Sequence, residues 1–206
     1  MLRLYYTPDT CALASHIALE QAGAAYETVR VDFAAGDQRK PAYVAINPKA
    51  RVPSLVTDRG VLTETPAILV YIAQSFPAAR LAPLDDPFAL AQVQAFNSYL
   101  CSTVHVAHAH RMRGTRWSDD PATIEGMKRG APKSVAAAFG HIENGMLKGP
   151  WVMGKDYSIC DPYLFTLAQW LEADGVDTAK LPRVMDHRRR VAQLPAVRRA
   201  LAAEPA

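Results

Sequence analysis

One cysteine, a Glu-Thr pair, a Val-Pro step and a histidine-bearing stripe are the parts of this 206-residue sequence whose types and spacing can do chemistry. Cys11 follows Pro8-Asp9-Thr10, a chain breaker with helix-capping side chains, so it falls at a helix start. The positive end of a helix dipole lowers a thiol pKa and favours the nucleophilic thiolate. The alternative for Cys11 is an inert buried thiol. Glu64-Thr65 stands before Pro66 at a second helix start, where open backbone N–H groups attract a carboxylate. The Thr65 hydroxyl adds a donor and Glu64 can pair with an ammonium, so together they suit a zwitterion. The plainer reading is a helix cap, which Thr65 would serve equally well. Val52-Pro53 is either a tight cis turn, leaving the preceding backbone groups open to a partner, or an ordinary trans step before a strand.

Further along, Asn97, Cys101, His105 and His108 recur at i, i+4, i+8 and i+11, one stripe of a long helix. A polar stripe on a helix that packs within a bundle calls for a reason. His105 and His108 could share a metal ion, and His110 lies close by. No carboxylate cluster accompanies them in the sequence, and no metal site is expected.

The elements that position these residues follow from the periods. Leu2 to Tyr6 reads as a buried strand, residues 11–22 as a helix closed by Gly23, and Tyr26 to Asp32 as a second strand parallel to the first. Residues 34–50 are irregular. Ser54 to Thr57 and Val61-Leu62 flank Asp58-Arg59-Gly60 as a hairpin, and a helix with Ile68, Leu69 and Ile72 on one face follows.

Beyond Phe76 the prolines 77, 83 and 87 mark a linker, and only helical periods remain. The spacing predicts helices over about 88–109, 121–146, 161–173 and 181–203, with Gly126, Gly130 and Pro132 breaking or kinking the second. Ser158-Ile159-Cys160-Asp161 has the form of an N-cap box, and Tyr163, Phe165 and Trp170 read as core. The expected architecture is α/β plus all-α: a βαβ-ββα domain over 1–77, a linker over 78–87 and a helical domain over 88–206.

Composition excludes several classes. The net charge of +3 and the single run Arg188-Arg189-Arg190 are too slight for a generic nucleic-acid binder, though they suit a small anion. Three scattered cysteines form neither a disulfide framework nor a zinc pattern. No apolar run reaches the roughly 20 residues of a membrane span. Met1 leads straight into strand-like sequence without the features of a signal peptide, so a cytoplasmic setting is expected. Cys11-Ala12-Leu13-Ala14 lacks the second cysteine of a CxxC pair, which argues against a dithiol oxidoreductase.

Four segments in order, 5–11 (YYTPDTC), 47–53 (NPKARVP), 62–68 (LTETPAI) and 157–161 (YSICD), resemble the cytosolic glutathione transferases. The cysteine at 11, with Tyr5 behind it, is most similar to the bacterial beta class. The resemblance implies a thioredoxin-like N-terminal domain and a helical bundle, usually in a homodimer, conjugating glutathione to an electrophilic small molecule. It also implies that Val52 and Pro53 hold the cysteinyl backbone of glutathione, and that Glu64 and Thr65 hold its γ-glutamyl end. Tyr5 joins the glutathione site, with Cys11 and His105 at the glutathione sulfur. The family more often has Ser at position 65 and Lys at position 106, where this chain has Thr65 and Val106. Thiol-transferase chemistry through Cys11 is a further expectation, and a non-catalytic glutathione-binding protein on the same fold is the alternative. The second substrate would lie in a cleft between the domains. Arg111, Arg113, Arg116 and Trp117 would either help line its pocket or form a solvated turn.

Overall fold

The computed structural model describes residues 1–204. β1 (Leu2–Tyr6), α1 (Ala12–Ala22) and β2 (Tyr26–Arg30) form the first crossover unit, and a short α2 (Pro41–Val44) follows. β3 (Ser54–Thr57), β4 (Gly60–Thr63) and α3 (Thr65–Ser75) complete the domain. One sheet results, in the order β2-β1-β3-β4. β2 runs parallel to β1 because a helix connects them, whereas the tight turn at Asp58-Arg59 makes β4 antiparallel to β3. This is the thioredoxin-like order expected from the sequence. Gly23 closes α1 in the left-handed conformation, at φ 63°, where other residues pay a steric penalty. Leu4 lies opposite Thr28 on one side and Leu55 on the other, at the centre of the sheet. Leu4 and Leu55 are fully buried together with Ile17 of α1 and Ile68, Leu69 and Ile72 of α3, and the two helices pack on each other.

The remaining elements are helical. α4 (Pro87–Tyr99) runs through a π-helical stretch, Leu100–Val104, into α5 (His105–Met112). α6 (Pro121–His141), α7 (Cys160–Ala168), α8 (Pro182–Ala192) and α9 (Pro195–Ala203) follow. Four departures from the sequence reading have physical causes. The π-helical stretch widens the long helix, so the stripe from Asn97 to His108 does not keep strict α-helical spacing. α6 is continuous across Gly126, Gly130 and Pro132. An interior proline costs about 3 kcal/mol, but burying Val135 and Phe139 on the same helix returns about 1.5–3 kcal/mol each. α7 stops at Ala168, and the chain turns through Gly175 at φ 74°. Residues 181–203 form two helices because Pro195 drives Leu194 into an extended conformation.

Two compact units divide the chain: Met1–Ala91 with the segment from Ala192 onward, and Gln92–Val191. In the first, α9 packs on α1. His16 Nδ1 meets Glu204 Oε1 at 2.6 Å, both side chains being buried, and Arg199 donates to Glu20.

The second unit is organised around Asp161, which is fully buried. Its Oδ2 accepts from the Ser158 backbone N–H at 2.7 Å, the return bond expected of the N-cap box. The Ser158 hydroxyl serves the N–H of Cys160. Oδ1 accepts from the Val152 N–H and lies 2.9 Å from His187 Nε2, neither of which the box pattern foretold. Tyr163 and Phe165 are core, as expected, but Trp170 is only half-buried. Replacing Asp161 by Ala strands two backbone donors in the interior and should lower stability by about 3 kcal/mol. Urea unfolding monitored by circular dichroism checks this, and a loss under about 1 kcal/mol would remove Asp161 from that central role.

Candidate functional site

The chain between α2 and β3 is held by a small polar network. The Tyr43 hydroxyl donates to the carbonyl of Arg51 at 2.6 Å and lies 3.0 Å from the Ser54 hydroxyl. Asn47 Nδ2 donates to the same carbonyl at 2.7 Å and to Ser54 Oγ at 3.1 Å. Tyr43, Asn47 and Ser54 are all buried, so each bond forms in a medium where losing it is costly. Between the fixed points Arg51 and Ser54 lies the Val52–Pro53 peptide, which is cis. The trans alternative is therefore ruled out.

Cys11 is the N-cap residue of α1, and its Sγ lies 3.6 Å from the carbonyl oxygen of Val52. Thr10 supports this helix start: its hydroxyl donates to the Thr7 carbonyl at 2.7 Å and accepts from the Ala12 N–H. The thiol thus sits at the positive end of a helix and against the turn that carries Val52.

The sheet register brings in the other predicted residues. Tyr5 lies opposite Ser54 on β1, and Thr63 lies opposite Ser54 on β4. One row across the sheet therefore sets Tyr5 beside the residue after Pro53, with Glu64 one step beyond Thr63. The Tyr5 ring rests against Tyr43, with centroids 5.7 Å apart.

Glu64 is the N-cap residue of α3 and has φ 72° and ψ 119°, a conformation non-glycine residues seldom adopt. Its side chain does not cap the helix. Thr65 is buried and is already the first helical residue, so it is not the cap either. No hydrogen bond to the Thr65 hydroxyl is present among the described residues. The first-turn N–H groups and this hydroxyl are thus available to an anion. The Glu64 carboxylate is paired with the Lys49 ammonium, which also donates to Thr63 Oγ1. Lys49 had no role in the sequence reading; the proline-rich segment that contains it offered no sign of a partner 15 positions away.

His105 lies in the other unit, where it opens α5 directly after the π-helical stretch. Its ring is 5.3 Å from that of Trp170 and 6.4 Å from that of His108. His108 Nδ1 meets the carboxylate of Asp174, which is buried and also accepts from Arg111 Nε. One carboxylate, that of Asp174, accompanies His108, from the turn just past the helix expected over 161–173. Among the described residues, no group of three or more His, Cys, Asp or Glu side chains is placed to hold a metal ion.

Asn97 is fully buried, and neither end of its amide has a partner among the described residues. Arg113, Arg116 and Trp117 are exposed on the turn after α5, and Trp117 packs edge-on against His110.

A thioredoxin-like sheet with a cis-proline turn, a cysteine at the first helix start and a helical second unit defines a thiol-handling class of protein. Residues 1–74 match the family model described as glutathione S-transferase, N-terminal domain. The chain is 31% identical to the glutathione S-transferase GstA of Escherichia coli O157:H7, over 98% of each chain. A glutathione transferase homologue from Sulfitobacter, solved with bound glutathione, is 45% identical over 98% of each chain, with a TM-score of 0.95. The bacterial beta class glutathione S-transferase of Sphingomonas chungbukensis is 34% identical over 98% of each chain, with a TM-score of 0.86. This chain belongs to the glutathione S-transferase family.

Cys11 and Cys160 should differ sharply toward an alkylating agent. Cys160 is fully buried, and burial pushes its thiol well above the ordinary value, so it stays protonated at neutral pH. Brief treatment of the native protein with iodoacetamide, read by peptide mass spectrometry, should label Cys11 and leave Cys160 unmodified until denaturant is added. Labelling of Cys160 in the native protein would contradict the assignment.

Proposed function

We propose that this glutathione transferase holds glutathione along the row formed by Val52, Glu64 and Thr65, with the sulfur at Cys11, and conjugates it to an electrophilic small molecule. The observation that carries the reading is the meeting of Cys11 Sγ and the Val52 carbonyl at 3.6 Å. It joins the helix start that favours a thiolate to the backbone groups that an added strand would use. Pro53 shapes that turn and Tyr5 lies one strand away.

The γ-glutamyl carboxylate goes to the Thr65 hydroxyl and the first turn of α3, and the ammonium goes to Glu64. An exposed ion pair is worth only about 0.2–1 kcal/mol. The ligand's ammonium can therefore take the place of Lys49 at little cost.

In the conjugation step the glutathione thiol gives up its proton, and the thiolate attacks the electrophilic carbon. A carbon–sulfur bond forms and the leaving group departs with its electron pair. His105 accepts or orients the thiol proton, a role that rests on the stretch 102–105 resembling that of the beta class. In disulfide exchange, the Cys11 thiolate attacks the glutathione sulfur of a glutathionylated substrate and releases the substrate's thiolate. A second glutathione thiolate then attacks the mixed disulfide, returning Cys11 and leaving oxidised glutathione. The cytoplasmic setting and the homodimer follow the habit of the family. No helix among the described residues is long and apolar enough to cross a membrane.

Thr65→Ala should weaken glutathione binding roughly tenfold, as expected for one charge-assisted hydrogen bond. Cys11→Ala should leave affinity within about threefold and abolish turnover of a glutathionylated substrate. Calorimetric titration of glutathione, with paired assays of conjugation and disulfide reduction, reads both effects. If Cys11→Ala changes neither reaction, Cys11 is not the reactive residue.

A further inference from the structure

The glutathione row leaves Lys49 without a role, although its ammonium stands where the ligand's ammonium is to go. Both ends of this contact are anchored through the backbone. The Lys49 N–H donates to Asn47 Oδ1 at 3.1 Å, and the next N–H, that of Ala50, donates to the Asn47 carbonyl at 2.9 Å. Asn47 is buried and is itself bonded to Arg51 and Ser54. Opposite, Glu64 follows Thr63, which pairs with Ser54 in the sheet, and its carbonyl accepts from the Ile68 N–H at 3.0 Å. Between these anchors Lys49 Nζ donates to Thr63 Oγ1 at 2.7 Å and to the Glu64 carboxylate. The Lys49 and Glu64 side chains are 44% and 59% exposed, so a solute can reach the pair and exchange with it. All of these residues belong to the first compact unit.

We propose that Lys49 is a specificity-determining residue, a tethered ammonium that competes with the amino group of glutathione for Glu64. This deepens the glutathione reading and rests on Glu64 as the group that receives the γ-glutamyl ammonium. Two ammonium groups on one carboxylate lie a few ångströms apart and repel each other, so the ligand's ammonium is favoured where Lys49 has left. Lys49 competes well, because a short stem anchored at its backbone presents its charge at high effective concentration. Binding of glutathione therefore exchanges one ammonium for another, and the amino group adds only the difference between two exposed pairs. A γ-glutamyl mimic without the amino group meets a different site. Its carboxylate takes the Thr65 hydroxyl and the start of α3, Lys49 stays on Glu64, and the Glu64 carboxylate keeps its counter-ion. Lys49 thus makes the site tolerant of thiol peptides whose γ-glutamyl end lacks a free amine.

Calorimetric titrations of the full chain at low ionic strength test this with two ligands, glutathione and its deaminated form, glutaryl-cysteinylglycine. The quantity read is the preference for glutathione, the Kd of the deaminated peptide divided by that of glutathione. Lys49→Met should raise the preference roughly threefold to fivefold, the upper range for one exposed ion pair. Lys49→Arg, which keeps the charge, should leave it close to that of the unmodified protein, and Lys49→Gln carries the test if Lys49→Met does not fold. In a Glu64→Gln background nothing remains to compete for, so Lys49→Met should change the preference by less than about twofold, a general charge effect that solvent screens. An equal rise in both backgrounds marks such a general effect alone and overturns the inference. No rise with Lys49→Met, beside a fall when Glu64→Gln is added to it, overturns this inference and leaves the glutathione reading standing. If adding Glu64→Gln to Lys49→Met leaves the preference unchanged, Glu64 does not receive the ammonium, and that reading and the inference fall together.

Discussion

The carbonyl of Arg51 is the point on which the glutathione half of the molecule turns. Two buried donors, the Tyr43 hydroxyl and the Asn47 amide, converge on it, and both also reach Ser54. With the chain fixed on either side of Val52 and Pro53, the Val52 carbonyl lies 3.6 Å from Cys11 Sγ. The same anchor sets Ser54 in register with Tyr5 and Thr63, and so fixes where β4 hands over to α3. Full satisfaction of the buried network is what gives it this authority, since each bond lost would expose a dry polar atom.

A second constraint lies at Glu64. Holding a non-glycine residue at φ 72° costs on the order of 1–3 kcal/mol. The exposed pair with Lys49 is worth about 1 kcal/mol at most, so it cannot be what holds Glu64 there. The β3–β4 register holds it from one side. From the other, the buried face of α3 holds it through Ile68, Leu69 and Ile72, worth about 1.5–3 kcal/mol each. The conformation is therefore imposed by the sheet and the helix, and it turns the start of α3 outward without a side-chain cap. A helix start left without a side-chain cap gives up some stability. It is well suited to a ligand that brings both a carboxylate and an ammonium.

Much of this was legible in the sequence, because local chemistry wrote it. The strands and helices of the first domain follow from apolar periods, from Gly23 and from the Asp58-Arg59-Gly60 turn. The positions of Cys11 and Glu64-Thr65 at helix starts, and of Val52 before a turn-forming proline, follow from residue types. What could not be read depends on distance along the chain or on competition between elements. The bond between His108 and Asp174 spans 66 positions, and Asp174 sits in the turn just past the helix expected over 161–173. The pairing of Lys49 with Glu64 needs a hairpin to bring the two together. The π-helical stretch leaves no mark in hydropathy, yet it changes where every later side chain of that helix points. Pro132 is the reverse case: its local signal was clear, and the buried face of α6 outweighed it.

A crystal structure of this chain with glutathione tests the central claim most directly. The peptide should lie along Val52, with its γ-glutamyl carboxylate on the Thr65 hydroxyl and the first turn of α3. Its ammonium should be on Glu64, with Lys49 displaced, and its sulfur should be in contact with Cys11. Glutathione bound with its γ-glutamyl end away from Thr65, or with its sulfur out of reach of Cys11, would contradict it.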